Sequence, residues 1–592
     1  MSEYKAPLRD MQFAMDEILG YQSHYASLPN GEECSPDMVE AILQEAAKFS
    51  ESVIAPLNSV GDEEGCQWNE GKVTTPTGFK DAYQQYTENG WAGLSQKPEL
   101  GGQGLPISLN NVVYEMLVTA NHAWSMYASL SWGAVSTMEA HASEYLRQLY
   151  MPAVIDGSWS GTMCLTEAHS GSDLGLLRTK ATPNEDGSYA ISGSKMFISS
   201  GDHDLTENII HIVLARLPDA PAGVKGISLF IVPKIQVNQD GSLGESNNVS
   251  CGSIEHKMGI NGNATCVINF DDSKGHLIAQ PNKGMSAMFT FINESRLGVA
   301  QQGHSHIEAS YQAALAYAKD RLQMRAPVPQ NPEKPADPII VHPDVRRMLF
   351  TQKAFAEGGR VLNYYCAQLV DIVHANQDAA AVESAQSQLA LLIPITKGFL
   401  TEASLEATSN GIQILGGHGY IREWGQEQHY RDARITAIYE GTNGIQGLDL
   451  LGRKILGSGG KVMGPFVEKV RAFCQANSGS VYAQTTEKAL DQWLTLIDKL
   501  GVVAAKDRNE VNAAAYDHLM FAGYTVLAYF WAQSAVVAEQ AIAAGSDETE
   551  FYQAKIATAR FYFERILPRI DSIATMITSG SDNLMDLPAE AF

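Results

Sequence analysis

Residues 189–199 read YAISGSKMFIS, and this stretch decides the fold. It is short, carries β-branched and aromatic residues, and is bounded by Gly, Asn and Asp, which is the pattern of a strand. Working outward, IIHIVLARL (209–217), GISLFIVPKI (226–235) and ATCVINF (264–270) share that texture. Helical patterning lies on both sides. Before it, Ser35-Pro36-Asp37 supplies cap chemistry and MVEAILQEAAKFSESVIAPL (38–57) follows with apolar residues at helical spacing. The segments 110–117 and 145–150 are helical again, after a loop at Gly101–Gly104. Helix returns near 284, is interrupted by an irregular insertion with six prolines at 326–343, and continues past 400. Gly457-Ser458-Gly459-Gly460 has the composition of a linker, and a further helical pattern follows it. The expected division is an N-terminal extension (1–35), a helical domain (36–158), a central β domain (159–280), a second helical domain (281–456) and an additional helical module (457–592).

The 592 residues amount to three or four domains at roughly 150 residues each. A hydrophobic share of 45% with 18% charged residues indicates a globular chain. The formal charge of -25 repels phosphate backbones, so nucleic acid is not an expected partner. The N-terminal residues lack the apolar core and cleavage site of a signal peptide. The seven cysteines are dispersed, odd in number and free of CxxC spacing. That fits reduced thiols in a cytoplasmic protein, with no metal site. The most apolar stretch, 519–532, is shorter than the ~20 residues a bilayer span needs, and is expected to be a buried core helix.

Several common chemistries find no support. There is no GxGxxG between strand and helix, no GxxxxGK[ST], no HExxH and no GxSxG. What remains is a set of small, polar, hydroxyl-rich turns: MCLTEAHSGSD (163–173), KMFIS (195–199), QILGGHG (413–419) and IYEGTN (438–443). Alone, each has an ordinary reading as a turn or a helix end. Together and in this order, they resemble the acyl-CoA dehydrogenase family over about residues 40–455. The longer ends are similar to a subgroup of about 600 residues that includes long-chain and 3-methylmercaptopropionyl-CoA dehydrogenases.

The resemblance implies an α+β fold: an N-terminal helical domain, a β-barrel-like central domain and a four-helix bundle, followed by the extra module. It implies bound FAD, an acyl-CoA substrate, electron-transfer flavoprotein as electron acceptor, and a homodimer or dimer of dimers. Met163, Leu165 and Thr166 would lie against the flavin, with Thr166 bonding its pyrimidine side. Phe197 and Ser199 would cover the other face and edge. Ser172 would sit where the FAD pyrophosphate and the CoA chain pass. Arg321, Gln413, Gly416 and Gly417 would reach FAD of a neighbouring subunit, and Thr442 and Gln446 would lie beside its phosphates and adenosine. Arg296 would approach the CoA adenine end. Relatives carry aspartate three residues before that arginine, where this chain has Asn293.

The same resemblance makes Glu440 the base that removes the α-proton of the thioester. Its backbone amide and a ribityl hydroxyl would bond the thioester oxygen, and the β-hydride would pass to flavin N5. Tyr439 and Gly441, with Ile438, would form an apolar surround that raises the base toward working pH. Some relatives place the glutamate immediately before the arginine at 296; that position is Ser295 here. Glu294 is about 100° further around the helix and is expected at the surface or the CoA rim. Trp132, Met138 and Tyr127 are candidates for the acyl pocket. Two rivals remain: an acyl-CoA oxidase on the same fold, and DNA-binding members of the family. Residues 456–592 contain no basic run, which disfavours the second.

Overall fold

The computed structural model describes residues 4–29, 31–330 and 332–592. The chain divides into two compact units, Lys48–Gly298 and Met1–Ala47 with Val299–Phe592. The division falls within two helices, Pro36–Phe49 and Gly284–Asp320.

In the first unit, helices Ile107–Ala120, His122–His141 and Glu144–Ile155 precede the sheet. Side-chain caps start the second and third of these. Asn121 Oδ1 accepts from Trp124 N at 3.0 Å, and Ser143 Oγ accepts from Leu146 N at 3.4 Å. The strands are β1 (Gln67–Asn69), β2 (Lys72–Thr74), β3 (Trp159–Cys164), β4 (Lys180–Pro183), β5 (Tyr189–Ser199), β6 (Asn208–Arg216), β7 (Ile227–Pro233), β8 (Ile235–Val237), β9 (Leu243–Ser246), β10 (Val249–Ile254) and β11 (Thr265–Ile278).

Seven of these strands form one sheet in the order β10-β11-β5-β4-β6-β3, and β7 pairs with both β6 and β11. That second pairing closes the ring β11-β5-β4-β6-β7, which makes the domain barrel-like and removes most of its edges. Strand β6 is buried on both faces. Ile210, Ile212 and Leu214 join a core with Val135, Met138, Met151 and Val154 of the helices, while Val213 and Ala215 face Phe230, Cys266 and Ile268. This is the period of two expected of a strand, with both phases apolar.

In the second unit, the part of helix Gly284–Asp320 from residue 299 on and the long helices Pro343–Ala375 and Ala379–Leu415 are joined by a shorter one, Gln426–Thr436. The proline-rich insertion wraps around the buried Asp337, whose carboxylate accepts from Ala326 N and Gln330 N at 3.0 Å each. The additional module contains helices Gly464–Ala476, Val481–Ala504, Asn509–Ala543, Thr549–Phe561 and Arg569–Ile577. By length and composition Asn509–Ala543 could cross a membrane, but 83% of its most apolar window is buried inside the protein.

The glycine run at 457–460 is not the flexible linker its composition suggests. Leu456–Ser458 forms a tight helical turn, and Gly459 and Gly460 follow with φ of +62° and +81°. Val462 and Met463 are buried, and Ser387 Oγ donates to Val462 O at 3.2 Å. The module is then fastened to the bundle. Trp531 Nε1 donates to Ala354 O at 3.0 Å, and Arg569 makes two bonds of 2.7 Å to Glu406. The N-terminal segment joins it, with Arg9 on Glu548 and buried Lys555 on Asp10 and Glu357.

Packing of the module against the bundle leaves no room at Gly523, where an added Cβ would lie 2.2 Å from the Phe399 ring. Gly523→Ala is therefore expected to destabilise the protein by about 1–3 kcal/mol. Thermal denaturation should show a lowered Tm across the bundle. An unchanged midpoint would mean that module and bundle unfold independently.

Candidate active site

In the first unit, β3 carries half-buried Met163, paired in parallel with Ile212, and delivers the chain to Leu165 and Thr166. The next residues form a stitched turn. Glu167 and Ser170 exchange backbone hydrogen bonds of 2.9 Å, and the Asp173 carboxylate caps Gly175 N at 2.9 Å. Arg216, at the end of β6, donates to Gly175 O at 2.6 Å and Leu177 O at 2.8 Å. These bonds satisfy the polar backbone of a loop too irregular to satisfy itself.

Beneath the loop lies a buried ion pair. The Glu167 carboxylate accepts from Arg178 N (2.7 Å), Thr179 N (2.9 Å), Thr179 Oγ1 (2.6 Å) and Lys195 Nζ (2.9 Å). Lys195 also donates to Leu165 O at 3.0 Å, and Met196 N donates to Thr166 O at 2.9 Å. The pair thus locks the segment around Thr166 to the segment around Phe197. Burial alone would raise the Glu167 carboxyl, but Lys195 and the donated hydrogen bonds hold it at about 2. Phe197 follows with φ +59°, an uncommon conformation for a bulky residue, and 56% of its surface is exposed. Ser199 is half-buried opposite Thr265, Ser172 and Asn293 are exposed, and Arg296 is buried.

In the second unit, Glu440 stands in a turn between the helices Gln426–Thr436 and Asn443–Leu448. Its φ is +58°, and Gly441 follows at +89°. Thr442 caps the second helix, accepting from Ile445 N at 3.3 Å. Gln446 is fully buried; its Nε2 donates to Glu440 O at 3.2 Å and Gly441 O at 3.1 Å. The Tyr439 hydroxyl bonds Gln302 Oε1. Arg321, Gln413, Gly416 and Gly417 are all exposed, and Gly416 takes φ +60° with ψ −132°, open to glycine.

Other expectations change. Tyr127 and Met138 are locked into the core instead of lining an open pocket: the Tyr127 hydroxyl donates to Gly262 O at 3.2 Å and accepts from Ala264 N at 3.0 Å. Trp132 is half-buried edge-on to Tyr114. Glu294 is not a surface residue. It is half-buried, and burial with the neighbouring Glu139 pushes its carboxyl up to about 7 against a hydrogen bond with Ser136. Glu167, Lys195 and Gln302 had no role in the sequence reading. A lysine inside a strand and an acid beside a hydroxyl-rich turn were visible, but their pairing across 28 residues was not.

The residues present fit FAD. An exposed aromatic ring at Phe197 offers a face to a flat ring system, and Thr166 and Ser199 offer half-exposed hydroxyls beside it. In the second unit, buried Gln446 Oε1 has no hydrogen-bond partner among the described residues.

Comparison with known proteins gives four consecutive family matches. These are the acyl-CoA dehydrogenase N-terminal domain (36–158), middle domain (162–273) and C-terminal domain (282–456), and the acetyl-CoA dehydrogenase C-terminal-like domain (466–588). The chain is 40% identical to the 3-methylmercaptopropionyl-CoA dehydrogenase of Ruegeria pomeroyi, over 98% of this chain and 99% of that one. It is 33% identical to a broad-specificity linear acyl-CoA dehydrogenase of Mycobacterium tuberculosis, over the full length of both. An acyl-CoA dehydrogenase of Bacillus anthracis solved with FAD superposes with a TM-score of 0.75 over 93% of this chain and 90% of that one. At 19% identity it supports the fold alone.

Lys195→Met should remove one partner of a buried pair and leave Glu167 uncompensated, at a cost of about 3–5 kcal/mol. The pair also sets an acid limit. The folded Glu167 carboxyl lies at about 2, below its unfolded value, so its contribution is present above that value and lost as pH falls toward 2. Denaturant titrations of wild type and Lys195→Met at pH 7 and pH 3 should converge toward the lower pH. A constant gap would show that the pair carries no such linkage.

Proposed function

The chain belongs to the acyl-CoA dehydrogenase family, an FAD-dependent oxidoreductase family, and on that premise we propose that Glu440 is the base that starts the α,β-dehydrogenation of an acyl-CoA thioester. The observation that carries this is the carboxylate of Glu440 on a left-handed turn whose own and following carbonyls are both tied down by Gln446.

The α-proton of a thioester is weakly acidic, and a carboxylate removes it only where the developing enolate is stabilised. Glu440 takes the proton, and its backbone N–H donates to the thioester oxygen as charge builds there. Gly441 lacks the Cβ that would crowd an approaching thioester. Bound FAD supplies the acceptor for the β-hydride. Met163, Leu165, Thr166, Ser172, Phe197 and Ser199 would hold its flavin side, and Thr442 its phosphate side. Arg296 and Ser172 serve the CoA moiety, assisted by Asn293 and Tyr439. Arginine and backbone amides must concentrate positive potential locally, because the chain as a whole carries -25.

The electrons pass on to electron-transfer flavoprotein, and the setting is the cytoplasm. Two chains complete each FAD site, with the exposed Arg321, Gln413, Gly416 and Gly417 reaching across, so the assembly is a dimer or a dimer of dimers. Short thioether-bearing acyl-CoAs belong beside linear ones in the substrate panel, a choice supported by the likeness to a 3-methylmercaptopropionyl-CoA dehydrogenase.

Glu440→Gln should slow anaerobic bleaching of the flavin by acyl-CoA ~10²–10⁴-fold, the usual loss for a positioned general base. Ligand-induced shifts of the flavin spectrum should persist. Wild-type bleaching in this variant, or a dead Glu294→Gln beside it, would move the base away from Glu440. Arg321→Ala should lower FAD retention and leave the subunit folded, as read by flavin content after gel filtration. Full retention in a monomer would overturn the shared site.

A further inference from the structure

The helix Ala379–Leu415 carries one lysine, Lys397, and it is fully buried. Its ammonium donates to Gly441 O at 2.8 Å and to Asn443 Oδ1 at 2.9 Å. The Asn443 amide in turn donates to Thr401 Oγ1 at 2.9 Å, Glu402 Oε1 at 2.8 Å and Gly398 O at 3.3 Å. A chain of polar contacts therefore runs from one wall of the bundle into the residues that follow Glu440.

A buried ammonium is costly, and an apolar residue of similar volume often serves stability as well. Two of this ammonium's hydrogen bonds go to the turn that carries Glu440. That turn has a particular need for them. Glu440 and Gly441 both have positive φ, and a glutamate in that region is strained and persists only where its surroundings over-determine it. Gln446 grips the Gly441 carbonyl too, and the Glu440 carbonyl besides, from the following helix. Gln446 thus holds the peptide joining Glu440 to Gly441, and Lys397 and Gln446 together hold the next one, joining Gly441 to Thr442.

We propose that Lys397, acting through Gly441 O and Asn443, is a positioning residue for Glu440. By holding the Gly441–Thr442 peptide it keeps the backbone of the turn at its positive φ angles, so that the carboxylate and the amide N–H of Glu440 meet the thioester together. The proposal rests on Glu440 being the base. It concerns the proton-transfer step alone, because Lys397 is fully buried and acts through Gly441 O and Asn443.

The test uses the FAD-loaded enzyme and two variants, Lys397→Met and Asn443→Ala, the second covering the case in which the first does not fold. Anaerobic flavin reduction by saturating acyl-CoA is followed with protiated and α-deuterated substrate. FAD content and acyl-CoA affinity are measured alongside. A misplacement of the base by about 1 Å costs on the order of 10²-fold. A rate loss of that size is expected, with a larger α-deuterium isotope effect and with FAD content and acyl-CoA affinity within about twofold of wild type. Wild-type rates and isotope effect in a folded variant would overturn the proposal. So would a rate loss that merely tracks lost FAD. The two readings separate through Glu440→Gln: if it is inactive while Lys397→Met and Asn443→Ala are fast, Glu440 stands and Lys397 falls. If Glu440→Gln is itself fast, both fall.

Discussion

A glutamate with φ +58° followed by a glycine at +89° is a turn the chain would leave if its carbonyls were free. Much of the second unit is arranged to prevent that. The Glu440 carbonyl is held by Gln446, the Gly441 carbonyl by Gln446 and Lys397, and Thr442 caps the next helix. The donors come from two different helices, so the turn depends on the bundle being assembled. The extra module supports the same framework from outside. Phe399, two residues after Lys397, packs against Tyr524 and directly over Gly523 of the module. Loosening the module would reach Glu440 through the helix that carries Lys397.

The first unit solves a parallel problem with the same chemistry. Its loop from Thr166 to Thr179 is irregular, and the buried Glu167 carboxylate takes up three donors at the loop's far end, Arg178 N, Thr179 N and Thr179 Oγ1. Lys195 neutralises that carboxylate and links it to Leu165 O. In both units a buried lysine holds a carbonyl beside a residue assigned to chemistry. A charged side chain is suited to this because its hydrogen bonds to carbonyls are about twice as strong as neutral ones. Being buried, it also escapes most of the screening that weakens exposed pairs.

What was legible in the sequence follows from range. The strand texture of YAISGSKMFIS and IIHIVLARL reflects a local period, and the structure places β5 and β6 there. The motifs at 163–173, 195–199, 413–419 and 438–443 were legible because each is contiguous. Contacts that join distant segments were not: Lys195 to Glu167, Lys397 to Gly441, Tyr439 to Gln302. The glycine run at 457–460 misled for a related reason. Composition marks it as flexible, but its conformation is set by buried Val462 and Met463 just beyond it. Tyr127 and Met138 misled because an aromatic or sulfur side chain on a helix has the same spacing whether it lines a cavity or fills a core.

Glu294 shows why perturbed acidity alone does not identify a base. Its carboxyl, near 7, is better tuned to neutral pH than an ordinary glutamate, and perturbed groups do gather at active sites. Its environment nevertheless accounts for the shift without any chemistry: burial and the nearby Glu139 raise it, against a hydrogen bond to Ser136 on the helix His122–His141. It lies in regular helix, so its backbone amide is committed to the helical ladder and has no donor to spare for an oxyanion. Glu440 lies outside regular helix, on a strained turn next to a glycine. Proton abstraction from a thioester needs a base and an oxyanion donor in fixed relation. A single residue can supply both only where the backbone has been taken out of its ladder and held there. That condition ranks Glu440 above Glu294 on geometry, before acidity is considered.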